Sequence, residues 1–436
     1  MRGTPGNAQA PANAQRVIVN LSHASLAAQF SEQMAIAVIP IVAVVALGAS
    51  AQQSATLQAV NTLPFLLLSL PAGLVADRSR RKPLMIATEL LRAAALFVLF
   101  ALFHARVLSL VTLGTLGFAI ATGTVVFSVA APSLVAAMVE TGDLLTANRR
   151  LEIARSIAYT AGPAVGGVFA GWASGVFAFL AAFALSLASA WCLARLPAET
   201  PRPRARRALV HELFDGVQFI ARSTHLRPIV ATAFVFNTSW YLLLAVFAWY
   251  AIHRLAFAPS AVGVALGVYG FGMVGGAFLY QAIAKRLVFG RQILLGPMSA
   301  ALASVLMAST VFTHSRATVF LAFFLFGFGP IVWTISTTAL RQVVTPRDLI
   351  ARVSSVIMMA TFGARPLGAM LGAFLSTRFG MTSCLVGAAC GFAAQLAIIV
   401  LSAPARLRSI ESLEAARAGQ RDAASAMRLA TGNRQE

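Results

Sequence analysis

The chain has 436 residues, 58% of them hydrophobic and only 11% charged. A water-soluble globule carries about 25% charged residues, so the composition excludes one and predicts an integral membrane protein. The net charge of +20 would suit nucleic acid, but the bases lie in short loops between apolar runs rather than on one soluble face; they point instead to membrane topology and anionic lipid.

Residues 1–17 are rich in Ala, Asn, Pro and Gly and read as a disordered tail without a signal-peptide cleavage site. Apolar runs of spanning length, roughly 20 residues, follow at 22–48, 56–76, 83–104, 107–131, 150–171, 174–195, 228–252, 259–284, 291–312, 317–340, 353–377 and 380–402. They predict an all-α membrane protein with twelve transmembrane helices and both tails on one side.

In the first run, Glu32 has no base within a helical turn. Counted from Ser22, it lies about 15 Å into the membrane at ~1.5 Å per residue. A lone carboxylate there is costly to keep charged. It is either a neutral acid hydrogen-bonded between helices or a site for a proton or cationic substrate, the reading favoured here. Ser31 and Gln33 add polar atoms beside it.

Between the second and third runs stands Gly73-Leu74-Val75-Ala76-Asp77-Arg78-Ser79-Arg80-Arg81-Lys82-Pro83-Leu84. One acid and four bases in so short a segment predict a tight hairpin at the membrane surface. Gly73 would let another helix approach closely, and Pro83 suits the first turn of the next helix. Glu89 with Arg92, and Glu152 with Arg155, have i,i+3 spacing and read as local ion pairs near the same side.

The fifth run contains Gly162-Pro163-Ala164-Val165-Gly166-Gly167 and then Gly171. Glycines four apart give small strips for close helix packing, and Pro163 can bend the helix. The eighth run has matching strips, Gly263 with Gly267 and Gly272 with Gly276.

From 197 to 227 a Pro- and Arg-rich linker leads into a segment with Leu213, Val217 and Ile220 on one helical face and Phe214 beside them, an interfacial helix. The linker separates residues 18–196 from 228–403, six runs each, with a tail from 404 to 436. The two sets show a weak repeat at an offset of 203: Gly73 meets Gly276, Lys82 meets Lys285, Arg149 meets Arg352, and Pro163 meets Pro366. The expected architecture is therefore two pseudo-symmetric six-helix bundles.

In the second set, Asn237, Trp240 and Tyr241 in the seventh run, and Trp333 and Thr334 in the tenth, are candidates to line a cavity, or to anchor helices at interfaces. Arg365 precedes Pro366 near the centre of the eleventh run without a local partner. It could pair with Glu32, bind an anionic substrate group, or bond carbonyls freed by the Pro. Inter-helix bases fall overwhelmingly on the side of Asp77; the opposite loops carry only Arg106, Arg254, Arg316 and Arg378. This puts the Asp77 side and both tails in the cytoplasm.

The ordered pattern Gly73-x-Leu-x-Asp77-Arg78-x-x-Arg81-Lys82 resembles the signature loop of the major facilitator superfamily, departing where Arg80 replaces the usual Gly. The resemblance covers about 18–402. It implies that Asp77, Arg78, Arg81 and Lys82 belong to a gate between two halves. Gly162, Pro163, Gly166 and Gly167 resemble the motif of its exporting, antiporter branch, and the whole pattern looks most like bacterial twelve-span drug and siderophore exporters. An acid in the first span about two turns before a Pro, here Glu32 and Pro40, also occurs in related exporters. The resemblance implies a proton-coupled antiporter of a bacterial cytoplasmic membrane, moving a small organic molecule by alternating access. An uptake symporter, a lipid flippase of the same fold, and a non-transporting receptor or scaffold are the rivals. Its partners would be substrate, protons and membrane lipid, with the chain monomeric.

No phosphate-binding loop, ligand-spaced His pair or Ser–His–acid set appears. No enzyme activity, cofactor or metal is expected, and Cys192, Cys384 and Cys390 are expected to be free.

Overall fold

In the computed structural model, residues 9–139, 143–172, 176–197, 209–346 and 349–409 are described. They form fourteen α-helices and one short 3₁₀ turn, Ala403–Arg406. The helices are α1 (Gln9–Val45), α2 (Ala51–Leu67), α3 (Ser69–Arg78), α4 (Arg81–His104), α5 (Leu110–Met138), α6 (Leu144–Trp172), α7 (Val176–Ala194), α8 (Leu209–Arg222), α9 (Leu226–His253), α10 (Pro259–Arg286), α11 (Phe289–Thr313), α12 (Arg316–Val344), α13 (Ile350–Phe379) and α14 (Met381–Val400).

Their limits follow from local chemistry. Ser50 opens α2 with a capping box closed by Gln53, and Ser109 does the same for α5 with Thr112. Pro259 occupies the first turn of α10. Gly380, at φ +78°, lets α13 reverse directly into α14. Helix α1 begins at Gln9, inside the stretch expected to be disordered. Ala and Gln are good helix formers, and Pro11 falls in the first turn, where its missing N–H is harmless.

Among the described residues, ten helices are long and apolar enough to cross a membrane. The expected second and fifth spans are not among them. The second is broken at Leu68 into α2 and α3. The fifth, α6, carries Arg149, Arg150, Glu152 and Arg155 in its first turns.

The packing of the core shows how the helices alternate. Val17 to Ala28 of α1 cluster with Ala76, Met85, Leu134, Ala147 and Leu193, bringing together the start of α1, the ends of α3, α5 and α7, and the starts of α4 and α6. Ile229, Ile293, Leu340, Val353 and Ile399 form the equivalent cluster in the second part of the chain. These two clusters lie at the end of the molecule that holds the start of α1, here called the terminal end. At the opposite, far end, one continuous core joins Met34–Ala43 of α1 and Leu96 of α4 to Leu242–Ala251 of α9 and Phe323 of α12. Among the described residues the apolar core is therefore one body at the far end and two at the terminal end, with a small cluster of Phe65, Ala72, Ala121 and Val125 between, against which Phe362 of α13 packs.

Two helix pairs make the most extensive contacts between the parts, α6 on α10 and α2 on α13, with smaller contacts of α2 and α1 on α9, α1 on α10 and α3 on α13. At the first contact an added Cβ on Gly167 would lie 2.6 Å from Gly263 Cα. Gly267 and Gly270 continue that contact against Thr160 and Tyr159. Gly166 instead faces Met34 and Val38 of α1, and Gly272 and Gly276 face Phe324 and Phe328 of α12. Residues one apart on a helix point about 100° apart, so the glycine strips serve different neighbours.

Linker helix α8 docks on α13. Asp215 bonds Arg352 at 2.7 Å, and Gly216 lies against the Arg352 carbonyl. Ile220 joins the core, but Phe214 and Val217 stay exposed; the Leu213 side chain lies outside the described residues. Large apolar side chains such as Phe278 and Phe312, both 85% exposed, cover the outside of the helices, as a lipid-facing surface requires.

Candidate functional site

Gln58, Asn61, Thr62 and Phe65 of α2 are spaced i, i+3, i+4 and i+7, so they share one face. That face meets Glu32, Ile36 and Pro40 of α1, Thr124 of α5, Tyr241 of α9 and Arg365 of α13 around a cavity of about 70 Å³. This interface cavity lies where residues from both parts of the chain converge. Glu32 is the only acid among its described lining residues.

Arg365 is held by aromatic rings rather than by an acid. Its guanidinium carbon lies 4.4 Å from the Phe362 ring centroid, 4.5 Å from Phe65 and 5.3 Å from Tyr241. Such cation–π contacts are worth roughly 0.5–2 kcal/mol each, more when water is excluded. Its Nε is buried without a hydrogen bond among the described residues. Of the three roles open to it from sequence, direct pairing with Glu32 is not made among the described residues, but both side chains line the same cavity and act on each other electrostatically.

Arg92 also reaches Glu32 electrostatically, so the carboxylate is not isolated from charge as its sequence neighbourhood suggests. The Glu89–Arg92 pair forms at 2.8 Å, but with side chains 0% and 1% exposed it is core rather than surface. Arg92 further donates to the Ala28 carbonyl and to Thr124 Oγ1, which links it to the cavity wall. Ser186 and Ser189 stand beside the Glu89 carboxylate, and Ser31 bonds Ser186 at 2.9 Å. Breaking a buried pair leaves an uncompensated charge, at a cost of about 3–5 kcal/mol. Arg92→Met alone is therefore expected to lower the thermal unfolding midpoint strongly, whereas Arg92→Met with Glu89→Leu recovers most of it. Unfolding of the detergent-purified variants measures this, and a double variant no better than the single one contradicts it. The Glu152–Arg155 pair also forms, at 2.6 Å, but in an exposed position.

The remaining candidates divide. Asn237, Trp333 and Thr334 line a second cavity of about 230 Å³ enclosed by α9, α11, α12, α13 and α14. Trp240 lines neither. It is 7% exposed, stacks on Tyr269 at 4.9 Å and packs against Phe323 and Phe326. Gln33 is likewise a packing residue, with its Cβ against Gly162. Pro163 and Gly162 are buried where α6 meets α1 and α10.

In the charged hairpin, Lys82 Nζ donates to the Ala194 carbonyl at 2.9 Å and to the Leu196 carbonyl, capping the end of α7 where the helix dipole favours a cation. Gly73 faces open space rather than a close neighbour. The side chains of Asp77 and Arg78 lie outside the described residues. Arg352, at the start of α13, is held by Asp215. Asn61, Gln58, Arg341 and Gln395 were not singled out from sequence; the Gln58–Phe65 stripe was the one signal that could have found the first two.

Residues 8–431 match the family described as transmembrane secretion effector. No curated protein matches the sequence. Among solved structures, the chain is similar to the nucleoside transporter NupG, with a TM-score of 0.73 at 11% identity, covering 88% of this chain and 99% of that one. It is similar to a POT family transporter bound to a thioalcohol-conjugated peptide, with a TM-score of 0.72 at 12% identity, covering 89% and 98%. A bacterial homologue of the iron transporter ferroportin in an inward-facing state gives a TM-score of 0.69 at 15% identity, covering 88% and 98%. At these identities the likeness is one of fold.

Proposed function

The chain belongs to the transmembrane secretion effector family of the major facilitator superfamily and is an integral membrane transporter rather than an enzyme; from that premise we propose that it is a proton-coupled antiporter exporting a small organic molecule by alternating access. The observation that carries this reading is the interface cavity, where Glu32 from one part of the chain and Arg365 from the other face a common space. The core is fused at the far end and divided at the terminal end, as expected of one end-state of a rocking transporter.

In this reading α2 and α3 together make one span and α6 another. They complete twelve spans in two six-helix bundles, at 18–196 and 228–403, joined by the 197–227 linker. The terminal end, rich in bases, faces the cytoplasm of a bacterial cell. Substrate enters there and displaces protons from Glu32; the α6–α10 and α2–α13 contacts then part at the far end while the terminal end closes. Asp77 would pair with the start of α13 in that closed state, in place of Asp215. Asp77→Asn is expected to slow transport severalfold with insertion unchanged; full turnover at normal expression removes the hairpin from the gate.

Symport by the same fold is the second reading, and the Gly162–Gly167 motif favours export over it. Among the described residues no three His, Cys, Asp or Glu side chains gather, so an organic cargo is preferred to a metal. Susceptibility profiling and analysis of the medium, in cells with and without the protein, identify the cargo. A compound accumulating in cells that lack the protein supports export, and one depleted from them indicates uptake.

A further inference from the structure

We propose that the cavity enclosed by α9, α11, α12, α13 and α14 is a binding site for a small monocarboxylate with an apolar body, separate from the interface cavity. Four buried polar atoms point to it. Thr232 Oγ1, Trp333 Nε1, Arg341 Nε and Gln395 Nε2 all belong to residues lining this one space, and none has a hydrogen-bond partner among the described residues. Thr232 and Gln395 are each only 1% exposed. Buried polar groups in folded proteins are nearly always paired, so four in one cavity mark places that a ligand or solvent fills.

The chemistry of the set is one-sided. Trp333 Nε1 and Arg341 Nε are obligate donors, and the Gln395 amide and the Thr232 hydroxyl can donate. No acid is present among the described lining residues, and Arg341 is the only charged one of them. A site of this kind asks for an acceptor-rich anion, and the planar guanidinium fork matches a carboxylate. One half-buried cation on an otherwise uncharged wall balances one negative charge. A phosphate group, at −1.5 to −2 near neutral pH, would leave an uncompensated excess. The walls explain the rest of the ligand: Phe236, Ile229 and Ile357 offer apolar surface to a ring or short chain. The volume of about 230 Å³ equals roughly seven water molecules at ~30 Å³ each, which limits the occupant to a compact molecule.

The inference concerns binding alone and is independent of the direction or coupling of transport. Benzoate is the probe, titrated by calorimetry into the detergent-purified full-length protein. Benzamide is its neutral isostere and phenylphosphonate its more highly charged analogue. Benzoate is expected to bind saturably, and each analogue at least about tenfold more weakly, since a hydrogen bond to a charged group is worth that factor or more. Arg341→Gln should weaken benzoate by about tenfold or more and leave benzamide nearly unchanged, while Arg341→Lys keeps the charge and retains part of the preference. Gln395→Leu removes one unpaired donor and should weaken benzoate without lowering the thermal midpoint, so the test survives if the Arg341 variants fold poorly. Absence of saturable benzoate binding, equal affinity for benzoate and benzamide, or benzoate affinity unchanged in Gln395→Leu would each overturn the proposal. In those cases water alone satisfies the donors, and the transport reading stands or falls on its own assay.

Discussion

Gly167→Leu is expected to abolish net transport while the protein still inserts and folds. Even a Cβ at this position would sit 2.6 Å from Gly263 Cα and 3.0 Å from Gly263 N, which are backbone atoms that cannot rotate away. A leucine can be housed only if α6 and α10 separate at the far end. Overpacking of this kind costs about 1–3 kcal/mol, enough to move the ratio of closed to open far ends by roughly five- to a hundredfold. Ser260 lies at the far end of the same seam, near Gly171, and reports the change. Ser260→Cys should react faster with a membrane-impermeant maleimide from the far side when Gly167→Leu is present. Gly166→Leu presses on Met34 and Val38 of α1 instead and should disturb the α1–α6 packing without raising that labelling. Normal transport by Gly167→Leu would show that the α6–α10 contact does not open during the cycle.

Glu32→Gln is expected to remove the response of export to a pH gradient and to spare substrate exchange. Glutamine keeps the shape and fixes the site in an uncharged form. No other acid stands among the described lining residues of the interface cavity to take over the proton. Glu89 is a poor substitute because Arg92 donates to it directly at 2.8 Å inside the core. Arg365, Arg92 and Glu32 form a set in which protonation of one carboxyl changes the charge felt by two guanidinium groups. That is a direct way for a proton to alter affinity for a cargo in the same cavity. Arg365 holds its place through three aromatic rings, so neutralising Glu32 leaves it seated.

The helices and the membrane class were legible in the sequence because apolar runs of spanning length dominate it. The breaks were not. Pro71 can kink a helix at Leu67, four residues before it. But Pro40, Pro64 and Pro163 lie inside helices that continue past them, so Pro71 alone does not single out Leu68 as the point where α2 yields to α3. The bases of α6 hide a helix that packs like the others. Spacing found both i,i+3 ion pairs, but not that Glu89–Arg92 is buried while Glu152–Arg155 is exposed. Burial is decided by helices distant in sequence, here α1 and α5 through Ala28 and Thr124.

The site was legible in part. Glu32, Pro40, Tyr241 and Arg365 do meet. Asn237 and Tyr241 are four residues apart on one helical face, yet they line different cavities. The ~6 Å that separates them along the axis carries the chain from one space to the next, and periodicity cannot register that. Trp240, between them in sequence, turns into the aromatic core with Tyr269. Gln33 turns toward Gly162 because adjacent residues on α1 face different partners.

The central claim is that a proton at Glu32 drives the cycle. It is tested most directly in proteoliposomes by the initial export rate of the identified cargo against the size of an imposed pH gradient. Wild-type protein should give a rate that rises with the gradient and falls to the exchange level when the gradient is collapsed, with added ATP restoring nothing. Glu32→Gln should give a flat line at that exchange level. Equal slopes in the two proteins would contradict the account and place the coupling proton elsewhere.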